Sequence, residues 1–266
     1  LFELLVAREA LEEALPLGES LARRVGDARK AAEWYLSLER LAASGLGDRG
    51  LALRYSRLAF ERDRAEPRAA ARLADALYLC GSVEEALPLY RRLAAGVDFE
   101  LDRERAVQTL LRTAELSLAV GDGARATGAL RALLEVEPAS APAADLLFEA
   151  LYPDDPGAAV QALARHARCL APGSRAWRLL LKLAALAREQ LSSPALAAEL
   201  LEAARPSADA PLPLELARAE ALREAGNRPA LAEALEQVAT LALEGGEPVA
   251  ARQALDELAG LLVEIG

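Results

Sequence analysis

The sequence has very few of the residues that favour β-strands. Its 266 residues include one isoleucine, four threonines and eleven valines, and aromatic residues make up 4% of the chain. These residue types suit a pleated sheet, whereas alanine and leucine, present 62 and 54 times, are among the best helix formers. We therefore predict an all-α protein.

The residues that build most metal and nucleophilic sites are also scarce. His166 is the only histidine, and Cys80 and Cys169 are the only cysteines. Two ligands three residues apart, His166 and Cys169, do not make a zinc site, which needs four protein ligands, or three and a water. Two distant cysteines give no disulfide framework. We expect no metal, no cofactor and no catalytic residue, and hence a protein that is not an enzyme.

Basic residues are fewer than acidic residues in this chain. The chain has 31 Lys and Arg against 41 Asp and Glu, a net charge of −10, and it has no long uninterrupted apolar run. An acidic protein is a poor counterion for nucleic acid or anionic lipid, so we expect neither as a partner, and no direct membrane insertion.

Only two basic residues are lysine, which suggests a GC-rich bacterial genome. The sequence does not begin with methionine, and its first residues do not have the basic and apolar pattern of a signal peptide. We therefore expect a fragment of a longer protein, with localisation open and the cytoplasm slightly favoured.

One segment of the sequence is repeated letter for letter. Glu-Glu-Ala-Leu-Pro-Leu occurs at residues 12–17 and again at residues 84–89. The two copies are 72 residues apart, which corresponds to two repeats of 36 residues. Such a period in helical sequence indicates helix hairpins that stack and bury their apolar faces against their neighbours.

Residues 67–93 carry the fullest version of this unit, with two helical stretches around a glycine turn. Leu73, Ala74, Leu77, Gly81, Ala86 and Tyr90 occupy positions 7, 8, 11, 15, 20 and 24 of a 34-residue pattern. This pattern resembles the tetratricopeptide (TPR) repeat superfamily, in a degenerate form. The resemblance implies a single α-α superhelix over residues 1–266, with about six stacked hairpins and a C-terminal helix. The approximate units are 1–30 (partial), 31–66, 67–106, 107–140, 141–174, 175–211 and 212–246, with a terminal helix at 247–265.

The resemblance also implies a function and a binding surface. In this superfamily the first helix of each hairpin faces a concave groove that contacts ligands, so the chain would be a protein-interaction scaffold or adaptor. The matching positions hold an acidic stretch with two tyrosines, followed by a basic stretch. The partner would be a peptide or domain of another protein with a basic or mixed-charge segment. The candidate residues are Asp75, Tyr78, Glu115, Asp145, Glu149, Tyr152, Arg175, Arg178 and Lys182.

Three other interpretations remain open at this point. The charges could simply solvate the concave face. The chain could be an architectural or assembly segment that associates through its ends or convex face, or a regulatory domain of a larger multi-domain protein. The ends bear on the second of these, because an array needs a terminal helix that is polar on its outside. We expect the terminal helix to cover the preceding hairpin with Leu255, Leu258, Leu262 and Ile265, and to expose Asp256, Glu257 and Glu264.

Overall fold

A computed structural model describes residues 1–170, 173–208 and 210–265, apart from the side chains of Ser174 and Ile265. Every regular element in these residues is helical, so the predicted all-α class is confirmed. The helices form two compact units, residues 1–129 and 130–266, and the boundary falls inside the eighth helix. The expected role of the Ile265 side chain lies outside the described part.

The first unit contains seven helices and the start of an eighth. They are α1 (Phe2–Ala7), α2 (Leu11–Arg24), α3 (Ala28–Arg40), α4 (Arg49–Arg62), α5 (Pro67–Leu79), α6 (Val83–Ala94), α7 (Arg103–Ala119) and α8 (Gly123–Val136). Each helix from α2 to α6 packs mainly against the helices before and after it in the chain, and α7 packs against α6. This is the packing pattern of stacked helix hairpins.

The second unit continues from α8 with seven further helices, which again pack mainly on their chain neighbours. They are α9 (Ala141–Leu151), α10 (Pro156–Cys169), α11 (Ser174–Glu189), α12 (Pro194–Ala204), α13 (Pro211–Glu224), α14 (Arg228–Glu244) and α15 (Pro248–Ile265). The odd-numbered helices α3 to α13 correspond to the first helices of the predicted repeats, and α4 to α14 to the second helices.

Four of the turns share one geometry that glycine makes possible. At the end of α5, Gly81 has φ +74°, and the amides of Gly81 and Ser82 donate to the carbonyls of Tyr78 and Leu77. This is a Schellman motif, which satisfies carbonyls at a helix end and requires a left-handed residue. The same bonds recur at the ends of α7, α13 and α14, around Gly121, Gly226 and Gly246.

The connection between α3 and α4 has a different form. Helix α3 continues into a π-helical segment, Leu41–Leu46, and α4 begins at Arg49. The segment passes so close to α2 that a side chain at Gly45 would collide with Leu11. The π-helical segment therefore packs directly on α2.

Alanines lie where helices approach most closely. Ala74 and Ala86, at positions 8 and 20 of the repeat, are fully buried, and so are their counterparts Ala114 and Ala126. Small side chains here allow short distances between helix axes.

We expect Ala86→Leu to destabilise the first unit by about 1–2 kcal/mol, because a larger side chain overpacks a filled space. Urea unfolding monitored by circular dichroism measures this change. The matched substitution Ala95→Leu, at a residue outside the core, should leave stability nearly unchanged. Equal midpoints for the two variants would contradict the proposed close packing.

Candidate functional site

In the first unit the structure brings three predicted site residues close to neighbouring helices. The hydroxyl of Tyr78 on α5 donates to Glu115 Oε2 on α7 at 2.6 Å. Asp75, also on α5, accepts a hydrogen bond from the Tyr90 hydroxyl at 2.6 Å and pairs with Arg112 of α7. The predicted neighbours on α5 and α7 therefore do meet on one surface.

Sequence reasoning missed the two residues that organise this cluster, Arg112 and Tyr90. The Arg112 guanidinium lies 5.0 Å from the centre of the Tyr78 ring and donates to the Tyr90 hydroxyl at 2.9 Å. A sequence signal was available, because α7 carries an arginine three residues before its acidic candidate, as α5 does with Arg72 and Asp75. Residues three apart on a helix share a face.

This clustering provides hydrogen-bond donors for Asp75 and Glu115. Hydrogen bonding to Glu115, followed by burial, raises the pKa of Tyr78. Burial, followed by hydrogen bonding to Asp75, raises the pKa of Tyr90. Both phenols therefore stay protonated and act as donors. A basic partner would have to displace Arg112 to reach Asp75, whose charge is already paired within the unit.

A buried glutamate on α3, Glu39, lies beside Arg72 of α5. Glu39 is 7% exposed, its Oε2 has no hydrogen-bond partner among the described residues, and the Arg72 Nε lies 3.9 Å from that oxygen. Burial raises the pKa of Glu39, and the opposing attraction of Arg72 only partly offsets it. An ionised Glu39 therefore costs stability.

We expect Glu39→Gln to raise the free energy of unfolding at neutral pH by about 1 kcal/mol, because it removes a buried charge and keeps the shape. In the wild type the folded carboxyl binds its proton more tightly than the unfolded one, which has the ordinary glutamate pKa of 4.5. Stability should therefore fall as pH rises from 4.5 through the raised pKa of the folded state. Urea midpoints across this range should show a shallower decline for the variant. A variant less stable than wild type at neutral pH would contradict this account.

In the second unit the five charged residues predicted for the site are exposed. Asp145 and Glu149 lie on α9, and Arg175, Arg178 and Lys182 lie on α11. The structure shows no ion pair for any of these five side chains within its described part. In the first unit, by contrast, Asp75 pairs with Arg112 and Glu115 accepts a hydrogen bond from Tyr78.

Tyr152 is the one predicted residue of the second unit that has a defined contact. Its hydroxyl donates to Gln190 Oε1 at 2.8 Å, and its ring lies 5.0 Å from that of Phe148. Since Gln190 directly follows α11, this bond connects the C-terminal ends of α9 and α11. The two charged helices are thus tied together at one end.

A buried ionic cluster in the second unit escaped sequence reasoning. Arg218 has 6% of its side chain exposed, and its guanidinium lies 2.7 Å from Glu202 and 3.0 Å from Glu215. Glu215, 5% exposed, also pairs with Arg205 at 2.8 Å, and Glu233 of α14 lies 3.5 Å from Arg205. Every charged side chain of this cluster pairs with at least one of opposite sign, and the pairs join α12, α13 and α14. The cluster is therefore structural, and we do not assign it to ligand binding.

The described residues contain no group of three or more His, Cys, Asp or Glu side chains arranged to hold a metal ion. None of the described helices is both long and apolar enough to cross a membrane. The expectation that the chain is not an enzyme stays a prediction.

Comparison with known proteins gives similarity at the level of solved structures. No family model matches the chain, and a search of curated proteins finds no match. A tetratricopeptide repeat protein from Parabacteroides merdae ATCC 43184 is 14% identical, with 86% of this chain and 93% of that chain covered and a TM-score of 0.46. The C-terminal part of a TPR repeat-containing protein from Cytophaga hutchinsonii is 15% identical, with 98% and 93% covered and a TM-score of 0.41.

A third similar structure is MamA from Desulfovibrio magneticus RS-1. It is 16% identical, with 90% of this chain and 97% of that chain covered and a TM-score of 0.38. The chain is thus similar to solved TPR proteins, as the sequence pattern predicted. At these identities and scores, the account of the fold rests on the helices and turns described above.

Proposed function

We propose that this protein is an interaction scaffold that binds an extended, mixed-charge segment of another protein across α9 and α11. The observation that carries the proposal is the set of five exposed, unpaired charges on these first helices: Asp145, Glu149, Arg175, Arg178 and Lys182. An acidic surface on α9 and a basic surface on α11 would suit a segment that carries charges of both signs.

The spacing of these charges supports binding over simple solvation. Arg175, Arg178 and Lys182 are separated by three and four residues, so they share one face of α11. Like charges at this spacing destabilise a helix by a few tenths of a kcal/mol. Elsewhere in the unit, arginines such as Arg188 and Arg223 have carboxylate partners at 2.8 Å. An opposite charge on a partner would relieve the repulsion on α11.

The first unit takes a smaller part in this proposal. Asp75 and Glu115 already accept hydrogen bonds from Tyr90 and Tyr78. Reversing Asp75 would disturb that internal cluster as well as any interface, whereas Glu149 and Lys182 can be changed without loss of a described contact. The variants that test the function are therefore chosen in the second unit.

We expect Glu149→Lys and Lys182→Glu each to slow association with a partner peptide about tenfold at low salt, since complementary charge mainly sets the encounter rate. Peptides would first be selected against the wild-type protein from a displayed random library, and association would be measured by biolayer interferometry at several salt concentrations. The selected peptides should carry both signs of charge.

The matched control is Glu236→Lys, which makes the same charge change at an exposed residue of α14. It should leave the association rate close to that of the wild type. If the control slows binding as much as Glu149→Lys, the effect is one of net charge only. If neither α9 nor α11 variant alters binding, the interface lies elsewhere.

A specific observation also favours the assembly alternative. On α15, the side chains of Leu255 and Leu262 are 48% and 53% exposed, and Val263 is 84% exposed. Light scattering over a concentration series separates the two functions. A monomer at all concentrations supports the peptide scaffold, and self-association that Leu262→Glu abolishes supports assembly through α15.

A further inference from the structure

A recess in the second unit lies away from the charged surfaces of α9 and α11. It has a volume of 370 Å³, within the range of small-molecule sites, and α8, α9 and α10 contribute its walls. Its apolar lining comes from Leu134, Leu147, Leu151, Ala158 and Ala162. We call this recess the α8–α10 cleft.

A buried histidine lines this cleft with one nitrogen free. His166 is 5% exposed, and its Nδ1 lies 2.9 Å from the carbonyl oxygen of Pro138. A carbonyl can only accept, so Nδ1 carries the hydrogen and donates it. Nε2 has no hydrogen-bond partner in the described part of the chain. Since the ring lines the cleft, Nε2 is the atom that a ligand there can reach.

The polar rim of the cleft is positive, although the protein as a whole is acidic. Arg131 and Arg165 line it and make no described ion pair, against one carboxylate, Glu135. Helix α10 contains Arg165 and Arg168 and no Asp or Glu, in a chain whose net charge is −10. Two unpaired guanidinium groups beside an apolar recess match a ligand that has an anionic head and an apolar body.

We propose that the α8–α10 cleft binds a small carboxylic acid with an apolar chain. The chain lies along Leu134, Leu147 and Leu151, and the carboxylate faces Arg131 and Arg165. Nε2 of His166 carries no hydrogen in this tautomer, so it is not counted among the contacts to the carboxylate. The proposal does not depend on peptide binding at α9 and α11, because the two sites use different surfaces.

Isothermal titration calorimetry with sodium octanoate tests this site, with octanamide as the neutral ligand of matched shape. We expect octanoate to bind at least tenfold more tightly than octanamide at neutral pH, because only the carboxylate engages the arginines. Equal affinities, or no heat from either ligand at millimolar concentration, would overturn the proposal.

Two variants assign the binding to this cleft. The double change Arg131→Gln and Arg165→Gln should weaken octanoate at least tenfold, because both side chains are exposed and their loss should spare the fold. The single change Arg168→Gln, on the same helix but outside the cleft, should leave the affinity within twofold. Unchanged affinity in the double variant places the ligand elsewhere and contradicts the assignment.

A titration with a short peptide tests whether the ligand of the cleft is a free acid or the end of a protein chain. Acetyl-Gly-Ser-Gly-Leu has a terminal carboxylate beside an apolar side chain, and it can be compared directly with octanoate. We expect it to bind more weakly, because the proposed contacts engage only a carboxylate and one apolar chain, and the preceding residues would have to be ordered without contacts in the proposed site. Tighter binding of the peptide acid, lost in its amide, would overturn the small-acid proposal in favour of a chain end.

Discussion

Replacing Arg218 with alanine is expected to lower the free energy of unfolding by about 3 kcal/mol, because it removes one of the two arginines that compensate the buried carboxylate of Glu215. Glu215 is 5% exposed and would keep only Arg205. Glu202 and Glu233, which now share Arg218 with it, would become an excess of negative charge at the junction of α12, α13 and α14. Thermal and urea unfolding of the second unit should both show the loss.

The matched control for Arg218→Ala is Arg252→Ala. Arg252 is 85% exposed and lies 3.8 Å from Asp256, so its loss should change stability by less than about 0.5 kcal/mol. A double variant, Arg218→Ala with Glu215→Gln, should regain part of the lost stability because the uncompensated charge is gone. An Arg218→Ala protein as stable as the control would show that the cluster contributes nothing net.

The second large effect is expected for Leu258→Ala on α15, a loss of about 2–3 kcal/mol from the removal of buried carbon and the cavity left behind. Leu258 is 8% exposed and belongs to the core of the second unit together with Ala254 and Leu235. The melting temperature should fall, and solubility should fall with it as the apolar surface of α14 becomes accessible.

Leu262→Ala provides the comparison on the same helix. Its side chain is 53% exposed, so the same chemical change should cost less than about 0.5 kcal/mol. Equal losses for Leu258→Ala and Leu262→Ala would mean that α15 does not cover the preceding hairpin in the observed orientation.

These two leucines also show how far the sequence can predict a helix face. The expectation that Leu255 and Leu262 are covered was wrong, because α15 packs on α14 through Ala251, Ala254 and Leu258. The alanines permit close approach, so the buried face includes them and Leu258 and leaves the other two leucines half exposed. The expectation that Asp256, Glu257 and Glu264 are exposed is confirmed.

Most of the helix order could be predicted because it depends on local features. Glycine turns such as Gly81 and Gly226 end helices through bonds within six residues of chain. Alternating helix faces follow from the period of 3.6 residues, which put the buried Ala74 and Ala86 in the correct places. The π-helical ending of α3 could not be predicted, since it depends on Leu11 of a different helix.

The site residues show the same division between local and distant information. Helical spacing correctly placed Asp75 and Tyr78 on one face of α5, next to α7. It could not reveal that Arg112, 37 positions after Asp75, would neutralise that carboxylate. The sequence treated Asp75 and Glu149 as equivalent acids, yet only Glu149 is left without a described partner, because partner choice depends on the distance between helices.

Hydrogen–deuterium exchange with and without a selected mixed-charge peptide tests the proposed binding surface most directly. We predict that bound peptide slows exchange in α9 and α11, where the unpaired charges lie, and leaves α12 and α14 unchanged. We also predict that Glu149→Lys removes the protection at α9 under the same conditions. Protection confined to α15 or to the second helices, with α9 and α11 unaffected, would contradict the assignment of these two helices as the binding surface.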